Sequence, residues 1–238
     1  DTGVEHGSVT VVSENKKFEL TTLRKDIRTD GRHAEIETID NWKEDSKRRD
    51  FTINAIYCDT DGNLYDPNNG INDLVNRRVK FIGDIHKRIQ EDYLRILRFF
   101  RFSILISQKF EKRSYKICCE YFSKLKLLSY ERRIQEIRKI ILSNLIKRRK
   151  TLPFLKKLIE KTLESKLNFA NFEELCILES SQKNVSFQRR IKFLLRSKES
   201  STNFIIKNAD NLFKKRLKGK ISFKNYSYAE LNLYLFKF

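Results

Sequence analysis

Six of the seven glycines (Gly3, Gly7, Gly31, Gly62, Gly70 and Gly83) lie in the first 83 residues of this 238-residue chain, and only Gly219 lies beyond. Glycine supplies tight turns and left-handed backbone, so a turn-rich, mixed first part should give way to a helical second part. The hydrophobic period changes at the same place. Ser8–Val12 and Phe18–Thr22 are short β-branched runs around the polar segment Ser13–Lys17 and predict a hairpin. Arg24–Arg32 is charged and poor in apolar residues, which predicts a loop. Trp42–Arg49 suits a short helix, Phe51–Cys58 a strand, and Leu64-Tyr65 a returning strand after the Asp61-Gly62 turn. Asp66–Gly70 is dense turn chemistry, and Ile71–Arg77 suits a further short helix.

From Asp84 onward the period is helical. Leu94, Leu97 and Phe100 recur at every third residue, and Phe99 and Phe102 widen the apolar face. Ser129 precedes the alternating run Glu131–Leu145 as an N-cap. Pro153 can open another helix. Beyond Thr151, helices are broken by joints near Asn168–Asn171, Ser180–Ser186 and Ser200–Asn203. With 39% hydrophobic and 12% aromatic residues, most of the chain should fold.

The net charge of +19 is unevenly placed. Residues 1–104 carry 18 Lys/Arg against 19 Asp/Glu, whereas residues 105–238 carry 32 against 12. Compositional drift would add lysine, but it would not also remove acids. The asymmetry therefore points to a polyanion partner. The four cysteines (Cys58, Cys118, Cys119, Cys176) form no metal-ligand spacing and suit a reducing cytoplasm. No apolar stretch is long enough for a membrane span and no secretory signal opens the chain. The chain contains no Met, as an internal fragment would.

Three clusters could carry chemistry. Arg48-Arg49 before Phe51 could clamp a phosphate or ribose, or simply end a helix in solvent. The turn Asp66–Gly70 with Asp73 is, alone, a turn. Asp92, Arg95, Arg98 and Arg101 recur every three residues as a polar stripe, which would also arise from i,i+3 ion pairs on an amphipathic helix.

In order, Arg48–Ala55 (RRDFTINA), Asp66–Leu74 (DPNNGINDL) and Ile82–Phe102 (IGDIHKRIQEDYLRILRFFRF) resemble class II tRNA nucleotidyltransferases, the CCA-adding enzymes, and their bacterial poly(A) polymerase relatives. Upstream, HGSVTVV, FELTTLRKD and TDGRHAEIE are similar to the same family's head, and Leu128–Leu142 to its neck. The resemblance implies an α+β fold. Residues 1–83 would be the remainder of a polymerase-beta-type nucleotidyltransferase head (mixed sheet with helices), residues 84–150 an all-α neck, and residues 151–238 a basic, RNA-binding body. It implies that Arg49 contacts the incoming nucleotide, that Asp92 and Arg95 read its base, and that Arg98 and Arg101 bind nucleotide too. The implied substrates are CTP, ATP and tRNA, with poly(A) addition or a non-catalytic RNA-binding protein as alternatives.

Base reading by such a pair makes chemical sense. Cytosine and adenine each show an exocyclic amine beside a ring-nitrogen acceptor, matching a carboxylate and an arginine. Uracil and guanine show a carbonyl and an N–H, and each unpaired group costs about 1–3 kcal/mol. The basic half supplies candidate RNA contacts at Arg132, Arg133, Lys147, Arg148, Arg149 and Lys150, and at Lys214–Arg216 and Lys218.

The sequence departs from the family pattern in two places. Asn69 stands where the family has a first glycine. Ahead of HGSVTVV there is no GG-x-x-R-D loop and no Asp-x-Asp pair to hold Mg²⁺, while Asp59-Thr60-Asp61 follows RRDFTINA in a turn. No catalytic or metal residue is therefore assigned. The expectation is a chain without its metal-binding front end, inactive alone and open to a complementing N-terminal half.

Overall fold

The computed structural model describes residues 8–14, 16–29, 34–107, 110–143, 152–170, 172–181 and 185–195. The chain divides into two units, Asp1–Arg133 and Ile134–Phe238.

In the first unit the expected hairpin is present. Strand β1 (Ser8–Ser13) pairs antiparallel with β2 (Lys16–Thr21), from Ser8 opposite Thr21 to Ser13 opposite Lys16. The segment expected to be a loop instead contains a strand. β3 (Arg24–Thr29) pairs antiparallel with β4 (Ala34–Thr38), with an irregularity between Asp26 and Arg28. This ribbon needs little apolar burial because helix α1 (Trp42–Arg48) anchors its start. The Arg24 N–H donates to the Asp45 carboxylate at 3.1 Å, and Arg48 Nε donates to the Arg24 carbonyl at 3.1 Å.

The segment after Arg49 also differs from expectation. Phe51 makes only an isolated bridge to Phe81, Thr52–Asn54 coil into a 3₁₀ turn, and β5 is only Tyr57–Cys58, paired with β6 (Leu64–Tyr65). The β-branched residues are diverted by tertiary contacts. The Thr52 hydroxyl donates to buried Asp73 at 3.0 Å, and the Thr52 backbone packs against helix α2 (Gly70–Val75). A Cβ on Gly70 would collide with the Thr52 carbonyl, so glycine is required there. Asn69 adopts φ +57°, ψ +36°, a left-handed conformation that asparagine tolerates better than most residues. Asp66 then accepts from the N–H groups of Gly70 and Ile71 at 2.7 and 2.8 Å. The second sequence cluster is thus a brace that holds α2 under the first.

Helix α3 (Ile85–Glu91), α4 (Leu94–Ile106) and α5 (Lys112–Glu120) complete the unit with a second 3₁₀ turn, Phe122–Leu127. Leu97, Phe99 and Phe100 are fully buried. Phe51 meets Phe81 and Phe102 with ring centroids 4.8 and 5.6 Å apart, so the aromatic face of α4 is packed directly under Arg48–Asp50.

Helix α6 (Tyr130–Leu142) begins where expected. The Ser129 hydroxyl accepts weakly from the Arg132 N–H at 3.4 Å. In the second unit, α6 contributes Ile137, Ile140 and Ile141 to a core shared with α7 (Leu152–Leu163), α8 (Phe172–Ser181) and α9 (Phe187–Leu195). Arg190 is buried at its centre. It pairs with Glu179 at 2.5 Å and donates to the Ile141 and Ser143 carbonyls, tying α9 to α8 and to the end of α6.

Candidate nucleotide-binding site

Asn41 caps α1 by accepting from Lys43 and Glu44 N–H groups, and the helix delivers Asp45, Arg48 and its C-cap Arg49 to one place. Asp45 is fully buried and accepts from five donors. These are the Arg24 N–H, Arg48 Nε and Nη2 at 2.9 and 2.6 Å, Arg49 Nε at 3.0 Å and the Tyr57 hydroxyl at 2.7 Å. Burial alone would raise the Asp45 carboxyl, but these donors outweigh it and hold it below its ordinary value. The Tyr57 hydroxyl, half-buried and bonded to that carboxylate, is pushed up to about 12. Burial would lower the Arg49 guanidinium, yet Asp45 and Tyr57 raise it. Arg49 also donates to the Asn54 carbonyl at 3.2 Å and lies over the Tyr57 ring, with its side chain 36% exposed.

The third cluster is split by a break in the helix, between α3 and α4. Asp92 is extended (φ −155°) between α3 and α4, not one turn of a continuous helix with Arg95. One carboxylate oxygen accepts from the Leu94 N–H at 3.0 Å and so caps α4. The other accepts from Arg132 Nη2 at 2.9 Å. Arg95 turns back to Glu91 (2.5 Å), to the Arg88 carbonyl (2.7 Å) and, more distantly, to the Arg48 carbonyl. Arg88 itself bridges Glu91 at 2.6 Å and the Arg49 carbonyl at 2.5 Å. Its burial, and then the neighbouring Arg95, lower its value. Arg98 pairs with Asp50 at 2.5 Å, and Asp50 in turn accepts from Asn54. Arg101 is buried, its guanidinium 4.0 Å from the centre of the Phe102 ring.

Arg49, Arg95 and Arg98 are therefore drawn into one charged network that joins the first and third sequence clusters, while the Asp92 carboxylate is held separately by the Leu94 N–H and Arg132. Asp45, Asp50, Tyr57, Arg88 and Glu91 also belong to it, although the sequence reading gave them no role. A signal was present for two of them. Asp45 stands three and four residues before Arg48 and Arg49, and Glu91 four before Arg95, which are ion-pair spacings on a helix.

Arg132, read from the sequence as an RNA contact, is engaged with Asp92, and Arg133 lies over the Tyr130 ring. Lys147, Arg148, Arg149 and Lys150, and Lys214–Arg216 with Lys218, lie outside the described residues. Asp59 accepts from Asp61 N–H and Asn63 N–H and amide donors within its own turn. Among the described residues no group of three His, Cys, Asp or Glu side chains could hold a metal ion, and no helix is long and apolar enough to cross a membrane. All four cysteines are free.

Residues 1–80 match the family described as the poly A polymerase head domain. The chain is 44% identical over 145 residues to the human mitochondrial CCA tRNA nucleotidyltransferase 1, covering 60% of this chain and 33% of that one. It is 38% identical over 147 residues to the CCA-adding enzyme of Enterococcus faecalis, covering 60% and 36%. Among solved structures, the Bacillus stearothermophilus CCA-adding enzyme in complex with CTP superposes with a TM-score of 0.54 at 28% identity, over 75% of this chain and 42% of that one. A tRNA-processing enzyme with CTP shares the fold, with a TM-score of 0.60 at 21% identity. The chain carries a poly A polymerase head domain and is a homologue of the CCA-adding enzymes. It spans about a third of the length of these curated relatives.

Proposed function

We propose that this chain is the nucleotide-selecting and RNA-gripping part of a template-independent nucleotidyltransferase that adds CMP and AMP to the 3′ end of tRNA from CTP and ATP. The observation that carries this reading is the α3–α4 junction. There Asp92 precedes α4 and Arg95 lies in its first turn, on a backbone bonded through Arg88 and Arg95 to the carbonyls of Arg49 and Arg48. The Asp92 carboxylate suits the amine of cytosine or adenine, and Arg95 the adjacent ring nitrogen. Arg49, partly exposed beside them, offers its remaining guanidinium N–H groups to ribose or phosphate oxygens. Arg98 extends the cationic face, while buried Arg101 supports the helix from behind.

We assign residues 1–83 to the head, 84–150 to the neck and 151–238 to the body, with the exposed lysines of the body lying along tRNA. Four free thiols suit a reducing compartment, cytoplasmic on our reading. Nucleotidyl transfer uses divalent ions, Mg²⁺ in our assignment, to activate the 3′-OH and neutralise the triphosphate. The described residues do not fit such an ion, so no step is routed through it here. Its carboxylates are expected on a complementing N-terminal head segment.

The test joins this chain to a head segment carrying an Asp-x-Asp pair and supplies Mg²⁺, the four nucleotides and tRNA lacking its CCA end. CMP and AMP incorporation, with UMP and GMP refused, is the expected result. Equal use of all four nucleotides would sink the reading. Long runs of AMP alone would favour the poly(A) polymerase reading, to which the name of the head-domain family also points. The 238 residues by themselves should bind nucleotide without transferring it.

A further inference from the structure

A carboxylate has about four lone-pair sites, and which of them face a ligand depends on how its plane is fixed. Rotation about the terminal torsion of an aspartate is soft, so the plane of an unrestrained side chain is poorly defined. Asp92 is restrained at both oxygens. Oδ1 accepts from the Leu94 N–H at 3.0 Å and Oδ2 from Arg132 Nη2 at 2.9 Å. The first donor comes from the start of its own helix. The second comes from 40 residues away, at the start of α6. Arg132 reaches Asp92 because α6 begins at Tyr130, with Ser129 holding the Arg132 and Arg133 N–H groups.

Two observations indicate what this contact does. The Arg132 side chain is 27% exposed and that of Asp92 is 19% exposed. A pair shielded to this degree is only weakly screened by salt, so the contact can fix the carboxylate's orientation as well as join α6 to the α3–α4 junction. Arg95 does not share the work. Its described side-chain hydrogen bonds go to Glu91, Arg88 and Arg48, and none goes to the Asp92 carboxylate. Asp92 is oriented by Arg132 and the Leu94 N–H, with lone pairs left on both oxygens.

We infer that Arg132 is a positioning residue for base selection: it fixes the plane of the Asp92 carboxylate so that the remaining lone pairs meet an exocyclic amine and not a ring N–H. The inference rests on the reading of Asp92 as a base reader. Without Arg132, the carboxylate can swing to accept from the ring N–H of uracil or guanine, and discrimination falls. Arg132 thereby leaves the set of RNA contacts and joins the nucleotide site, linking the neck helix to the choice of base.

The experiment is equilibrium titration of the 238-residue chain with CTP, ATP, UTP and GTP, for wild type, Arg132→Gln, Arg132→Lys and Asp92→Asn, with tRNA binding measured beside it. Arg132→Gln should lower the CTP-to-UTP affinity ratio roughly 3- to 10-fold, the range expected when one charge-assisted hydrogen bond is lost. Its tRNA affinity should stay near wild type. Arg132→Lys, which keeps one donor but not the planar fork, should fall between the two, an ordering that a purely structural role would not produce. If Arg132→Gln keeps the wild-type ratio while Asp92→Asn abolishes it, the inference fails and the base-reading assignment stands. If Arg132→Gln weakens all four nucleotides alike, or tRNA alone, Arg132 is a phosphate contact and the inference is wrong. If wild type and Asp92→Asn show the same ratio, the base-reading assignment itself falls, and the inference with it.

Discussion

Residues 1–133 and 134–238 use their cationic side chains differently. The first stretch carries 26 Lys/Arg against 22 Asp/Glu and the second 24 against 9. In the first unit Arg48, Arg49, Arg88, Arg95 and Arg98 each meet a carboxylate, and their half-buried network defines the candidate site. Among the described residues of the second unit, Arg190 and Glu179 form a buried pair, while Lys157, Lys166 and Lys192 are exposed. Charge held between partners builds geometry, whereas charge left in water builds an electrostatic field. On the proposed function, the same residue types serve selection in one region and attraction in the other.

The strongest way to break this comparison is to remove its exception. Glu179→Ala leaves Arg190 buried without its carboxylate, and losing one member of such a pair costs about 3–5 kcal/mol. The second unit should lose its cooperative helical melt by circular dichroism, while Trp42 fluorescence, which reports the first unit alone, should not change. A native-like melt would mean that the Ile141 and Ser143 carbonyls suffice to hold Arg190.

The exposed lysines are next. Binding of tRNA should weaken with salt at a log–log slope of several units, because each neutralised phosphate contributes about 0.7–0.9. Changing Lys157, Lys166 and Lys192 together to Gln should reduce both the affinity and that slope in filter-binding titrations. An unchanged slope would make the charge asymmetry compositional drift.

A smaller effect belongs to the Asp92 carboxylate. Asp92→Ala should reduce the preference for CTP and ATP over UTP and GTP by about 10-fold, in line with about 1–3 kcal/mol per lost contact. A nucleotide-competition assay showing intact preference would remove Asp92 from the site.

The smallest effect is one of pH. The folded value of Asp45 lies below its ordinary 3.8, so its stabilising contribution is complete above that pH and is lost as pH falls through the depressed value. Trp42 stacks on Tyr57, whose hydroxyl bonds Asp45, and is the only tryptophan. Its fluorescence should therefore report this acid transition. In Asp45→Asn the transition should disappear. Salt should shift it little, in contrast to the tRNA titration, because the carboxylate is buried.

Much of the local structure was legible because it depends on neighbours in the chain. The Ser8–Val12 hairpin, the α1 and α2 helices and the apolar face of α4 follow from period, turn residues and caps. β3 was not legible, because a strand with so few apolar residues is held by α1 through Arg24 and not by its own burial. Nor was the coil at Thr52–Asn54, where β-branched residues yield to the Asp73 hydrogen bond and the close approach of Gly70.

The motif residues of the site could be listed from the sequence, and their resemblance to the CCA-adding enzymes carried the functional reading. Their partners could not. Asp50 with Arg98, Arg88 with the Arg49 carbonyl and Arg132 with Asp92 are separated by 48, 39 and 40 residues. A hydrogen bond acts over about 3 Å of space, and no periodicity in the chain encodes which distant donors the folded backbone will bring within that reach. The sequence by itself determined which charged groups are available, and only the tertiary structure decided which arginine meets which carboxylate.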